Sequence, residues 1–204
     1  MKSEVLYKYR GLSNLELVLD ILVNKRLYAC HFEKLNDPME GRYIYARGSL
    51  TEEQIEQIRG NKGAYNVLSL SATHNNLLMW SYYGEGHTGL VVGVKVTDKN
   101  VLQEPVHYVN DLRLNEIKGR RLSAQEIARL VLCKKLDAWT HEREKRVFKL
   151  ENNYVDVEIK ELYLGTKADK DKVALVSKIA EAFLPDVKIQ KLKRKDLDSG
   201  SGLS

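Results

Sequence analysis

In this 204-residue chain the side chains able to do chemistry gather in three separated stretches. The first is Leu35-Asn-Asp-Pro-Met-Glu-Gly41, where a proline-fixed turn can present Asn36, Asp37 and Glu40 rigidly. The same residues suit an Asx turn in which Asn36 or Asp37 binds its own backbone. The second stretch runs from Leu68 to Gly89. Ser69 and Ser71 alternate with Leu68 and Leu70, so both hydroxyls share one strand face, ready to hold a ligand, to orient a neighbouring acid or simply to meet solvent. Behind them Trp80, Tyr83 and His87 gather around Gly84. Trp80 or Tyr83 can stack on a nucleobase or nicotinamide ring, or can belong to the core. The third stretch, Trp139-Thr-His-Glu-Arg-Glu-Lys-Arg146, is the densest run of charge. Glu142 and Glu144 share a face if it is strand and diverge by about 200° if it is helix. A salt-bridged surface turn is the plainer alternative.

Other chemistries lack their residues. The five histidines are scattered without metal-ligand spacing, and neither a P-loop glycine pattern nor GxSxG occurs, which argues against a zinc hydrolase, a P-loop NTPase and a serine hydrolase. No metal is expected. Cys30 and Cys133 stand far apart, as two small apolar residues rather than a disulfide or thiolate pair. With 33 basic and 28 acidic residues, the net charge of +5 permits an anionic partner without making the chain a nucleic-acid binder. The run Lys188, Lys191, Lys193, Arg194 and Lys195 is either a backbone-binding patch or a strand edge protected by lysines. No apolar run reaches about 18 residues and the N-terminus lacks a secretory pattern, so a soluble, cytoplasmic chain without membrane contact is expected.

The elements that must position these residues follow from periodicity. A first strand is expected over Leu6 to Arg10, then a helix opened by a capping box at Ser13 and Glu16 and carrying Leu15, Val18, Leu19 and Leu22. A short strand from Leu27 to His31 feeds the 32–38 loop. Thr51 and Gln54 start a polar helix that Gly60 and Gly63 should end near Arg59. Strand, short helix and strand follow over 67–72, 75–83 and 89–96, with another strand at 106–109. Ser123 and Glu126 open a helix bearing Ala128, Val131, Leu132 and Leu136. Strands over 146–150 and 155–163 are expected to form a hairpin through Glu151-Asn-Asn153. A helix from 170 to 184 and a strand from 187 to 192 complete one domain over residues 1–195, with 196–204 as a flexible tail. Hairpins mixed with helical crossovers give α+β: a mixed, largely antiparallel sheet with flanking helices.

Taken in order, LYKYRGL, RLYACHFEKLNDPMEG, SLSATHNNLLMWSYYGEGHTGLVVGV, WTHEREKRVF and KELYLG resemble the bacterial domain-of-unknown-function family 2971 from Leu6 to about Lys193. The family pattern often has histidine where Tyr82 stands. The order of Tyr9-Arg10, Ser69-x-Ser71 and Glu142-x-Glu144 is also similar to the arginine, Ser-x-Ser, Glu-x-Glu series of ADP-ribosyltransferases, which implies a split sheet and NAD as cofactor. That resemblance implies Glu144 beside the ribose, where a carboxylate stabilises the oxocarbenium that develops as the nicotinamide bond breaks. It further implies Glu142 activating the acceptor, Tyr9 and Arg10 at the cofactor, Ser69 and Ser71 bracing Glu144, and Trp80 or Tyr83 against a ring. Asn36, Asp37, Glu40, His87 and Arg146 are left to the acceptor or the surrounding loop. An acceptor in protein or nucleic acid and a role as a toxin or phage-defence effector go with that reading. The alternatives are a non-catalytic nucleotide or nucleic-acid binding module and a nuclease with a divalent ion on Asp37, Glu40, Glu142 and Glu144.

Overall fold

The computed structural model describes residues 4–117 and 121–198. In chain order it forms β1 (Leu6–Arg10), α1 (Leu15–Asn24), β2 (Arg26–Tyr28), β3 (Cys30–His31), α2 (Glu52–Ala64), β4 (Asn66–Ser71), α3 (Leu77–Tyr82) and β5 (Leu90–Val96). Then follow β6 (Leu102–Pro105), β7 (His107–Val109), α4 (Ala124–Leu132), β8 (Lys134–Leu136), β9 (Glu144–Lys149), β10 (Tyr154–Leu164), α5 (Lys170–Phe183) and β11 (Lys188–Lys191). The fold is α+β. Its main sheet runs β11-β10-β5-β1-β4-β9-β6, with β2 added to β10 and β3 to β4, while β7 and β8 pair separately. All ladders are antiparallel except β10–β11 and β7–β8.

Alternation decides which residues each face offers. In β4, Leu68 and Leu70 enter the main core with Val147 of β9, covered by Val18, Ile21 and Leu22 of α1 and by Val176 and Ala180 of α5. On the opposite face Val67 meets Phe148, and the register continues Ser69↔Arg146 and Ser71↔Glu144. A second layer there is built from α2 and α4, where Ile58 packs with Ile127, Ala128 and Val131. Tyr9, Met79 and Trp80 form a smaller cluster with Val91 and Tyr163.

Five expectations change. The N-cap of α1 is Asn14, whose Oδ1 accepts from Leu17 N; Ser13 is drawn instead to Glu85, whose carboxylate accepts its backbone N–H at 3.0 Å. Helix α2 continues through Gly60 and Gly63 to Ala64, because Ile58 and Lys62 are buried on its inner face and tertiary packing overrides glycine's weak helix preference. Leu136 lies in β8, beyond the end of α4, and β6 had no anticipated counterpart. The β9–β10 hairpin does not form: Asn153 exchanges bonds with Ala29 (Ala29 N to Asn153 O, 2.7 Å; Asn153 Nδ2 to Ala29 O, 2.9 Å), so β10 begins against β2. Of the expected tail, Asp196 to Asp198 are docked, Leu197 against the Trp80 cluster and Asp198 N on Asn75 O at 2.8 Å; residues 199–204 lie outside the described residues.

Candidate functional site

β1 meets β4 at a single pair, Tyr7↔Ser71. Beyond it the strands separate, and at Asn66 and Val67 it is β3 that takes the edge of β4. Lys8 Nζ reaches across the gap to Ser69 O at 2.9 Å, a side chain standing where ladder bonds would be. A cavity of about 400 Å³ fills this split. Consecutive residues of both strands line it, Tyr7 to Gly11 and Ser69 to Ser71, as expected for an opening between strands rather than a hollow on one face.

Of the residues singled out in the sequence, Tyr9, Arg10, Asn36, Ser69, Ser71, Tyr83, Glu142 and Glu144 line this cavity. They come from β1, the loop after β3, β4, the end of α3 and the junction before β9. Glu142 closes a 3-10 turn over Asp137–Glu142, and Arg143, in the left-handed region at φ 45°, redirects the chain so that Glu144 opens β9. The two carboxylates therefore converge without belonging to one strand. Tyr83 OH donates to Glu142 Oε1 at 2.5 Å and accepts from Asn36 Nδ2 at 2.7 Å, which ties the LNDPMEG loop to the cavity wall.

Neither glutamate is unpaired. Lys135 Nζ, on β8, lies 2.6 Å from Glu142 Oε2, 3.4 Å from Glu144 Oε2 and 3.4 Å from Glu40 Oε1. Arg146 bonds Glu144 Oε1 through Nε at 2.9 Å and Glu40 through Nη2 at 2.7 Å, and its Nη1 donates to Leu132 O. The Ser69 hydroxyl nearby also favours the ionised Glu144. Three carboxylates thus share two cations in a place from which water is excluded: Lys135 is 3% exposed and Arg146 not at all. Burial pushes the Glu144 carboxyl up, but Arg146 and Lys135 outweigh it and hold it at about 2. For Glu142 and Glu40 burial wins and both are raised. The excess carboxylate charge of the cluster is therefore most easily neutralised at those two.

Arg10 is the opposite case. Among the described residues it has no carboxylate partner, and its Nε is buried without a hydrogen bond. Lys8 beside it has no ion pair either. The cavity is thus lined by Arg10 and Lys8, neither of them in an ion pair among the described residues, and by a cluster in which three carboxylates share two cations.

Other candidates lie elsewhere. Trp80 is wholly buried, with Nε1 on His74 O at 2.7 Å and its ring against Tyr9, so it is core and not a ring-stacking surface. The Tyr9 hydroxyl is spent on Thr73 O at 2.9 Å. His87 stacks behind Trp80, away from the cavity. Asp37 makes the Asx turn, its Oδ1 accepting from Met39 N at 2.9 Å. Glu40 and Arg146 stand behind the cavity wall and act on it through Glu144 and Lys135. Among the described residues no group of three or more His, Cys, Asp or Glu is arranged to hold a metal ion. Of the carboxylates considered for a nuclease, Glu40, Glu142 and Glu144 surround Lys135, and Asp37 stands apart in its Asx turn.

The sequence reading passed over Lys8 and Lys135. Lys8 has a signal, since strand alternation puts it on the same side of β1 as Arg10. Lys135 has none, since the spacing of Val131, Leu132 and Leu136 predicts a helix there, whereas it lies on β8. Among the described residues no helix is long and apolar enough to cross a membrane. Comparison of the chain with family models, with curated proteins and with solved structures finds no match.

Proposed function

We propose that the split between β1 and β4 binds a phosphate-bearing nucleotide, with Arg10 holding its anionic group. The observation that carries this reading is the half-buried Arg10, which has no carboxylate partner among the described residues and whose Nε is shut away from water without a hydrogen bond, a loss that an anion would repair. A volume of about 400 Å³ falls in the ordinary range for small-ligand sites. NAD is the dinucleotide the resemblance implies, and its pyrophosphate suits a guanidinium fork. Tyr83 is the one aromatic of the expected stacking pair that reaches the cavity. Titration calorimetry with NAD, ADP-ribose and inorganic phosphate tests the reading. Arg10→Ala is expected to weaken binding about tenfold or more, the loss of one charge-assisted contact. Equal affinity for wild type and variant would remove it.

ADP-ribosyl transfer from NAD to a protein or nucleic-acid acceptor is the second reading. It is favoured by one observation: Arg10, the two serines and Glu144 come from three neighbouring strands onto one cavity. Against it stands the pairing of Glu144 with Arg146 and Lys135, which spends most of the field a carboxylate would offer an oxocarbenium. Incubation with labelled NAD and cell lysate separates the two readings. Turnover that Glu144→Gln abolishes supports transfer, and nucleotide binding without turnover leaves a binding module.

A further inference from the structure

We propose that Lys8 is a nucleophilic amine that forms an imine with a small aldehyde or ketone entering the β1–β4 split, with Arg10 seating an anionic group on that molecule. The proposal goes beyond nucleotide binding and requires only the cavity.

Its ground is the setting of Nζ. Lys8 lies on a central strand flanked by β5 and β4, lines the cavity, and makes one hydrogen bond, to the carbonyl of Ser69 at 2.9 Å. A carbonyl oxygen stabilises the ammonium less than a carboxylate would, and among the described residues no carboxylate contacts Nζ. Arg10, two residues along, projects to the same side and adds like charge. The groups that favour the ammonium, Glu144, Cys30 and Glu142, act from a distance, and both glutamates are already matched with Lys135. Burial is the largest influence and Arg10 the next, and together they bring the Lys8 amine down to about 7. A desolvated lysine beside a second cation is the arrangement in which an amine keeps its lone pair at neutral pH.

The chemistry closes on itself. The nitrogen lone pair attacks the carbonyl carbon, and the carbonyl oxygen takes the proton the nitrogen releases. The carbinolamine then loses that hydroxyl as water, the second proton coming from the remaining N–H, while the C=N bond forms. No electrons leave the system and no oxidant or reductant is consumed. Tyr83 and Glu142, hydrogen-bonded to each other in the cavity wall, are a titratable pair able to carry that proton to the departing hydroxyl.

The test is reductive trapping on the full chain. Glyceraldehyde 3-phosphate or glyceraldehyde is added with cyanoborohydride, whose hydride reduces the imine to a stable secondary amine, and labelled peptides are counted by mass. At pH 7 Lys8 is expected to label about tenfold or more faster than any exposed lysine, since an ordinary amine is almost wholly protonated there. The rate should rise through about pH 7, and Arg10→Gln should move that midpoint upward by removing the like charge. Faster labelling by the phosphorylated aldehyde, lost in Arg10→Gln, supports both the amine and the anion seat. Preferential labelling of Lys8 by both aldehydes alike keeps the reactive amine and removes the anion reading. Labelling of Lys8 no faster than of exposed lysines, with either aldehyde, overturns the proposal.

Discussion

Lys135 and Arg146 carry the charge balance of the site, because each touches two or three of Glu40, Glu142 and Glu144 with almost no access to water. Removing one partner from a buried pair leaves an uncompensated charge, which typically costs ~3–5 kcal/mol. Arg146→Met, which leaves three carboxylates to Lys135 alone, is therefore expected to lower the unfolding free energy by an amount in that range, read from the urea midpoint at unchanged slope. A loss under about 1 kcal/mol would show that the cluster is hydrated in solution. The acid side of the stability curve belongs mainly to Glu144. Its carboxyl is depressed from 4.5 to about 2, so its contribution is complete above pH 4.5 and is lost as pH falls toward 2. A shift of that size corresponds to roughly 3 kcal/mol. Glu40 and Glu142 are raised, so their effect has the opposite sign and grows as pH falls. Denaturation midpoints between pH 2 and 5 should flatten in Glu144→Gln, and an unchanged slope would take the acid limb away from this residue.

Among the elements, α2 shows how packing and local preference compete. Gly60 and Gly63 read as stop signals, yet Ile58 and Lys62 bury against α4 and the loop at Gly41, whose carbonyl accepts from Lys62 Nζ at 2.7 Å. The helix runs on because that burial outweighs two glycines at roughly 1 kcal/mol each. A Cβ added at Gly60 meets nothing within 4 Å. Gly60→Ala should thus stabilise the protein by about 0.5–1 kcal/mol, visible as a higher melting temperature, whereas a helix ending near Arg59 would yield no gain. The β1–β4 split belongs to this scale too. Ser69 and Ser71 were legible as one strand face, and β9 sets Glu144 opposite Ser71 and Arg146 opposite Ser69. That the next strand would part from β4 after one pair had no local signature.

For the molecule as a whole, a ligand held in the split bridges strands that otherwise meet at one pair, so binding should register as global stabilisation. At about 100 times its Kd a nucleotide is expected to add ~2.7 kcal/mol, seen as a rise in melting temperature that Arg10→Ala should cut to about half or less. The basic run from Lys188 to Lys195 begins on β11, at the far edge of the sheet and three strand positions from β1. Reversing Lys191 and Lys195 to Glu should leave nucleotide affinity within about twofold while steeply reducing any salt-dependent polyanion binding. A large loss of nucleotide affinity would move the binding site to that edge. From its residues alone the chain determined the α+β class, most strands and helices, two capping boxes and the Asx turn at Asp37, because each is written in periodicity or in contacts a few residues long. Strand order, the gap beside β1, the withdrawal of Trp80 into the core and the capture of Glu142 and Glu144 by Lys135 and Arg146 were decided only in three dimensions. Each of these depends on which distant segments become neighbours. The charge state of a buried carboxylate is set by the partner that arrives beside it, and spacing along the chain does not encode that partner.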